Sequence, residues 1–201
     1  PTSGISTPNG TLFARYLVPF YSAIDNRIYP EMLYSHIFID GSVNNQLKIG
    51  YGAYLVVSEL GAAIESLKDT VRVKRFEHTN STKLELQTLL WALSETVALG
   101  GGGDMVLTVY TDSQNIIGLP GRRTRLEESN YFSSKNNHLN NYELYQEFYR
   151  LNSSLTCEFV KVIGHQPSAN KDEIDKLFAL VDQASRRSIR KDFQRMNEIN
   201  Y

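Results

Sequence analysis

Four carboxylates occupy positions in the 201-residue sequence where predicted strands end or predicted helices begin. Asp40 and Asp112 directly follow apolar, strand-like runs, whereas Glu85 and Asp175 lie in the first two turns of predicted helices. These are the places where an α/β sheet collects its ligand site. Carboxylates that converge repel one another unless divalent cations lie among them, and hard oxygen ligands suit Mg²⁺. Two such ions about 4 Å apart can hold the attacking and leaving oxygens of a phosphodiester, so the pattern predicts metal-assisted phosphodiester hydrolysis.

Each of these residues also has a purely structural interpretation. Asp40 begins an Asp-Gly pair typical of hairpin turns, although the polar segment 43–49 is the better turn. Glu85 completes a Thr-x-x-Glu capping box and, taken alone, is better explained by that cap. Asp112 is explained about equally well as a helix N-cap and as a functional carboxylate. The helix dipole favours an acid at Asp175. His165, a fifth candidate in a glycine-containing loop, has the ordinary alternative of a solvent-facing imidazole.

The elements that must position these residues follow from apolar periodicity. Three strand-like segments come first, ending near residues 40, 57 and 77, and predict an antiparallel meander. The later segments are a helix over 81–99, a strand over 105–111, a short helical run to 119, a polar loop over 120–141, a helix over 142–151, a strand over 155–163, a loop over 164–170 and a helix from 171 to about 195. This order predicts an α/β fold: a five-stranded mixed sheet, with three antiparallel strands and then two parallel ones, flanked by helices.

Composition narrows the class of protein. The chain is 41% hydrophobic and 21% charged, which fits one globular domain, expected at residues 31–201, with an extension at residues 1–30. A formal net charge of −1 means that any basic surface must be local. The single Cys157 excludes an internal disulfide and fits a reducing compartment, so we expect a cytoplasmic location. The histidines lack zinc spacing, no apolar run reaches membrane-spanning length, and no signal-peptide pattern is present. Because the sequence begins with Pro1 rather than Met, we expect it to be a trimmed or excised chain.

The sequence resembles the type 1 ribonuclease H family, including the retroviral ribonuclease H domains. The resemblance covers roughly residues 34–190, and four motifs carry it in the family's order: FIDGS around Asp40, HTNSTKLELQTL around Glu85, TDSQ at Asp112, and Gly164-His165 ahead of the helix opening KDEIDKL. Asp175 follows His165 by ten positions, as the last catalytic aspartate follows the loop histidine in that family. The resemblance implies a ribonuclease H-like fold.

Carried over to these positions, the resemblance implies that Asp40, Glu85, Asp112 and Asp175 hold two Mg²⁺ ions, with Mn²⁺ as an alternative metal. His165 would be the mobile loop residue that assists product release or proton transfer. Asp182, further along the same helix, is a rival for the fourth carboxylate, and the spacing from His165 favours Asp175.

The resemblance also implies a set of substrate contacts. The turn before Glu85 would meet the minor groove of the hybrid, although Ser81-Thr82 stands where many members have two asparagines. Arg122 and Arg123, with Arg125, would replace the basic protrusion of some bacterial members as the grip on the DNA strand. The substrate-binding residues expected on these grounds are Gly41, Ser42, Asn80, Ser81, Thr82, Ser113, Gln114, Arg122 and Arg123.

The function expected from these features is hydrolysis of the RNA strand of RNA–DNA hybrids by an endonuclease that leaves 5′-phosphate ends. We expect a monomer with no membrane association and no protein partner. The alternatives are another nuclease of the wider ribonuclease H-like superfamily, such as an exonuclease or integrase, and a non-catalytic hybrid-binding module. An unrelated α/β domain, in which the carboxylates are caps and surface charges, is the remaining possibility.

Overall fold

A computed structural model of the chain describes residues 33–100, 105–163 and 171–199. The chain divides into two units, residues 1–30 and 31–201, and the described residues all belong to the second unit. The predicted extension at residues 1–30 and the predicted loop 164–170 therefore lie outside the described part. Within the described part, no helix combines the length and the apolar character needed to cross a lipid bilayer.

Five strands form one mixed sheet, in the order β3-β2-β1-β4-β5. β1 pairs antiparallel with β2 and β2 with β3, whereas β4 is parallel to both β1 and β5. This topology confirms the predicted fold class. The elements are β1 (Leu33–Asn44), β2 (Ile49–Val57), α1 (Ile64–Leu67) with a 3-10 turn (Lys68–Thr70), β3 (Arg72–Glu77), α2 (Ser81–Gly100), β4 (Met105–Thr111), α3 (Gln114–Ile117), α4 (Leu119–Glu128), α5 (Tyr142–Asn152), β5 (Thr156–Lys161) and α6 (Glu173–Ile199).

β1 is the central strand, and its two neighbours accompany it over different lengths. Its parallel pairing with β4 ends at Phe38, opposite Tyr110, whereas its antiparallel pairing with β2 continues to Asn44. The expectation that the strand ends at Asp40 is therefore wrong, because the ladder with β2 carries it four residues further. Asp40 nevertheless lies beyond the last β4 partner, where the sheet opens toward the residues that follow β4.

The two faces of the sheet are covered by different helices. Ile37 and Ile39 pack in a core with α2 and α5, whereas Phe38, between them, belongs to a second core with α6. This division follows from the alternation of side chains along a strand. The apolar run before Asp40 is therefore buried on both sides, and helices approach the carboxylate from both faces of the sheet.

One predicted loop is in part a helix. Residues 119–128 form α4, with Pro120 in its first turn, where a missing backbone N–H costs nothing. Leu119 and Leu126 are buried, and the Tyr149 hydroxyl donates a hydrogen bond to the Leu119 carbonyl (2.9 Å). Two buried leucines and a tertiary hydrogen bond thus hold a segment whose composition resembles a loop.

Candidate active site

A cavity of about 230 Å³ lies where β1 extends beyond the end of its pairing with β4. Four carboxylates line it, Asp40 from β1, Glu85 from α2, Asp112 from the turn after β4, and Asp182 from α6. The remaining lining is small and mostly polar: Ile39, Gly41, Ser42, Ser81, Thr88, Thr111, Ser113, Ile116 and Arg186. Acidic side chains from four separate elements therefore meet at one edge of the sheet.

Asp40 is largely buried and accepts a hydrogen bond from a serine hydroxyl. The fully buried Ser185 has its Oγ 3.0 Å from Asp40 Oδ2, from the Asp182 carbonyl oxygen and from Ser42 Oγ. Burial, followed by repulsion from Asp112, raises the pKa of Asp40 to about 7, and the Ser185 hydrogen bond opposes that rise. The sheet thus holds a carboxylate at a place where its charge is poorly compensated by the protein alone.

Glu85 does not serve as the cap that the sequence favoured. The side chain of Asn80 instead accepts a hydrogen bond from the Lys83 amide (3.0 Å) and so satisfies the first turn of α2. Glu85 Oε2 accepts a hydrogen bond from Ser113 Oγ at 2.5 Å. Burial raises the pKa of Glu85, and repulsion from Asp112 acts in the same direction. Glu85 therefore faces the pocket.

Asp112 is likewise not the N-cap of the helix that follows it. That role belongs to Ser113, whose Oγ accepts a hydrogen bond from the Ile116 amide (3.2 Å) while also bonding to Glu85. Ser113 therefore joins the start of α2 to the turn after β4. Through this hydroxyl, the elements that carry Glu85 and Asp112 are fixed relative to each other.

Small residues in the sheet allow α2 to lie close enough for Glu85 to reach the pocket. A Cβ atom at Gly52 would stand 2.1 Å from Thr88 Oγ1, and one at Gly41 would stand 2.9 Å from a methyl group of Leu84. Gly41 and Gly52 are paired partners in β1 and β2, so one level of the sheet lacks side chains under the first turns of α2. The helix fills that space.

The fourth carboxylate in the pocket is Asp182, and Asp175, which the spacing from His165 favoured, does not line the pocket. Asp175 lies in the first turn of α6, where its Oδ2 accepts a hydrogen bond from the Asp172 amide (3.2 Å) and its own amide donates to Asp172 Oδ1 (2.8 Å). This reciprocal arrangement is a helix cap. Asp182, two turns further along, lines the pocket and pairs with Arg186 at 2.8 Å. Asp182 also contributes to the electrostatic environment of Asp40.

The predicted substrate contacts divide into two groups. Gly41, Ser42, Ser81 and Ser113 line the pocket, whereas Asn80, Thr82, Gln114, Arg122 and Arg123 do not. Asn80 caps α2, and Gln114 Oε1 accepts a hydrogen bond from Lys161 (2.9 Å).

The two predicted arginine contacts have partners within the protein. Arg122 bonds to the carbonyl and the side chain of Asn115, and Arg123 pairs with Glu127 (2.8 Å). Their proposed grip on DNA would compete with these bonds. His165 lies outside the described residues.

The donor set of the pocket suits a hard divalent cation. Carboxylate and hydroxyl oxygens are the ligands that Mg²⁺ prefers, and a cation among the carboxylates would relieve the repulsion that raises the pKa of Asp40. In the part of the chain that the structure describes, no three acidic, histidine or cysteine side chains already surround one point closely enough to hold an ion. Ser185, Ser113 and Arg186 instead engage the carboxylates. The chemistry of the site thus fits a metal, whereas the coordination sphere is not preformed.

Comparison with known families decides the relationship. The sequence profile of the RNase H family matches residues 34–183, about three quarters of the chain. This chain belongs to the RNase H family. The match begins in β1 and ends one residue after Asp182, so all four carboxylates of the pocket lie within it.

A solved structure supports the fold of this RNase H-family chain. LC9-RNase H1, described as a type 1 RNase H with the type 2 active-site motif, superposes with a TM-score of 0.56. It shares 16% sequence identity, and the alignment covers 80% of this chain and 74% of the other. The sequence matches none of the curated proteins with which it was compared.

Proposed function

We propose that this chain is an endonuclease that hydrolyses the RNA strand of RNA–DNA hybrids and leaves 5′-phosphate and 3′-hydroxyl ends. The observation that carries the proposal is the meeting of Asp40, Glu85, Asp112 and Asp182 in one pocket of an RNase H-family fold. Acidic side chains gathered in one pocket repel one another, which adds to the raised pKa of Asp40 and destabilises the metal-free protein. Holding divalent cations against a phosphodiester is the use that their chemistry supports best.

The four carboxylates would hold two Mg²⁺ ions, with Mn²⁺ as an alternative. When bound, such ions polarise the scissile phosphate and lower the pKa of the attacking water. The protein side chains have separate tasks around them. Ser185, itself bonded to Ser42, would orient Asp40, and Ser113 would orient Glu85.

Strand choice would depend on the 2′-hydroxyl, which donates and accepts hydrogen bonds and is absent from DNA. The pocket wall offers the hydroxyl groups of Ser42 and Ser81 and the backbone of Gly41 as partners for sugar and phosphate oxygens. A serine hydroxyl can both donate and accept and so discriminates little between bases, and cleavage should therefore depend little on base sequence. We propose that one chain carries the whole activity without a protein partner.

The test is cleavage of a labelled RNA–DNA hybrid in Mg²⁺, with duplex RNA and duplex DNA as control substrates. We expect cleavage of the hybrid alone, with fragments that a ligase accepts at their 5′ ends. Metal-dependent cleavage of the DNA controls would favour another nuclease of the superfamily. Tight hybrid binding without any cleavage would favour the non-catalytic binding module.

Asp112→Asn is the variant that tests the site. Because the amide keeps the shape of the side chain and loses its charge, we expect the fold to persist and activity to fall on the order of 100-fold or more. Asp69→Asn, at an exposed acid in the 3-10 turn away from the pocket, is the matched control and should retain wild-type activity. Hybrid cleavage by the Asp112→Asn enzyme at the wild-type rate would refute the assignment.

A further inference from the structure

A basic surface extends from the pocket along the second half of α6. Residues 184–199 contain five basic and two acidic residues, although the whole chain has a net charge of −1. The basic residues nearest the pocket recur at helical spacing and line a groove with Asp182, Gln183 and Gln194; they are Arg186, Arg187, Arg190 and Lys191. We call this surface the α6 basic face. The groove and the pocket share Asp182 and Arg186, so the α6 basic face is continuous with the pocket.

Arg186 of the α6 basic face pairs with Asp182, whereas the other three basic side chains of the face have no such partner among the described residues. Arg187, Arg190 and Lys191 are exposed, and their side chains make no hydrogen bond or ion pair with any other described residue. The acid nearest to them in sequence, Asp192, instead pairs with Arg75 of β3 at 3.0 Å. Three long cationic side chains therefore project into solvent from one rigid helix.

The dimensions of the face match a nucleic-acid strand. From Asp182 to Gln194 the helix rises about 18 Å, at ~1.5 Å per residue. At ~3.4 Å of axial rise per phosphate in one strand, this distance spans about five phosphates. Arginine and lysine at successive turns can each meet a phosphate, whereas the groove offers little apolar surface for a protein partner.

We propose that the α6 basic face binds the phosphate backbone of the duplex next to the scissile phosphate and lengthens the footprint of the enzyme on its substrate. The proposal rests on the proposed function for the identity of the duplex. The family match ends at residue 183, so Arg187, Arg190 and Lys191 lie in a part of α6 beyond the matched region. The contact is with phosphates alone and raises affinity without adding base specificity.

The test is the triple variant R187Q/R190Q/K191Q in the full chain, with binding of a fluorescent RNA–DNA hybrid measured in EDTA so that no cleavage occurs. The dissociation constant is followed over roughly 50 to 200 mM salt. Each lost phosphate contact should lower the slope of log Kd against log salt by about 0.9, so we expect a drop of about 2 to 3 and at least about tenfold weaker binding at low salt. The control K68Q/R72Q/R150Q removes the same charge from residues outside the pocket and the groove and should change neither quantity.

The outcomes separate this inference from the proposed function. An unchanged salt slope in a folded triple variant overturns the inference even if the wild type cleaves hybrids. A reduced slope supports it even if the wild type cleaves nothing, in which case the proposed function fails alone. Competition by polyglutamate as strong as that by unlabelled hybrid would point to an acidic polypeptide and overturn the inference. Absence of any hybrid binding by the wild type also overturns it.

Discussion

Asp175 and Asp182 lie seven residues apart on α6 and have different partners. Seven residues are close to two full turns, so both side chains lie on nearly the same side of the helix, about 10 Å apart along its axis. Asp175 exchanges hydrogen bonds with Asp172 at the helix start, and Asp182 faces the other carboxylates. Position along the axis, rather than orientation, therefore decides which of them belongs to the site.

A matched pair of substitutions tests this assignment. Asp182→Asn should lower hybrid cleavage on the order of 100-fold, because it removes one negative charge from the group proposed to hold the metals. Asp175→Asn should leave the rate near that of the wild type and lower stability by at most about 1 kcal/mol, since the asparagine side-chain oxygen can still accept the hydrogen bond from the Asp172 amide. Both are measured by single-turnover cleavage and thermal melting. The reverse ranking of the two rates would restore Asp175 as the fourth carboxylate.

The sequence identified three of the four pocket carboxylates because each stands at a predicted boundary. Asp40 and Asp112 follow apolar strands, and Glu85 lies near a helix start. The fourth could not be fixed in this way, since α6 offers acids on the same side two turns apart. The choice is made by packing of Leu177 and Val181 against the sheet, a long-range contact that sequence spacing does not report.

At the scale of elements, α2 packs tightly against the sheet where Thr88 lies over Gly52 of β2. Gly52→Ala would place a methyl group 2.1 Å from Thr88 Oγ1, so the helix or the strand must move. We expect a loss of about 1 to 3 kcal/mol in the free energy of unfolding, as for other overpacked cores. Activity should fall as well, because Glu85 lies one turn from the displaced residue. Denaturant melts and cleavage rates measure the two effects.

Thr88→Ala in the same chain provides the control for that prediction. It removes Oγ1 and the methyl group that the new Cβ would strike, so the double variant should recover part of the stability lost in Gly52→Ala. The coupling energy from the double-mutant cycle should be favourable and at least about 0.5 kcal/mol. Purely additive effects would show that the loss arises from the backbone of β2 and not from the contact with α2.

Apolar periodicity predicted the five strands and the helices α2, α5 and α6. It did not predict α4, whose sequence LPGRRTRLEE has only two buried leucines and carries Pro and Gly at its second and third positions. The helix forms because α5 covers it, with Tyr149 bonded to the Leu119 carbonyl and Arg122 lying over the Tyr145 ring. This stabilisation comes from contacts with another helix, so the apolar periodicity of residues 119–128 does not predict it.

At the scale of the whole domain, the buried charge of Asp40 links stability to pH. The pKa of Asp40 is about 7 in the folded protein and has an ordinary value near 3.8 in the unfolded chain. Between these values the folded protein keeps a proton that the unfolded chain releases, so stability falls as pH rises from about 4 to about 7 and is level above that range. The raised pKa of Glu85 acts in the same direction.

The corresponding measurement is the free energy of unfolding in EDTA across this pH range. We expect a decrease of up to roughly 4 kcal/mol for the wild type, since each tenfold difference in proton affinity contributes about 1.4 kcal/mol, and a much smaller decrease for Asp40→Asn. Added Mg²⁺ should raise the melting temperature more at pH 7.5 than at pH 5, because the ligands must be deprotonated. A flat metal-free profile would mean that Asp40 titrates as an ordinary aspartate.

The course of α6 has a practical consequence for anyone who trims this polypeptide. A boundary drawn where the family match stops would leave Asp182 as the penultimate residue, in a frayed terminal turn. It would also delete Ser185, the hydroxyl that bonds to Asp40, and the ion pair by which Asp192 fastens the helix to Arg75. The minimal autonomous fragment therefore has to be chosen by where this helix is anchored, well downstream of the last recognisable signature.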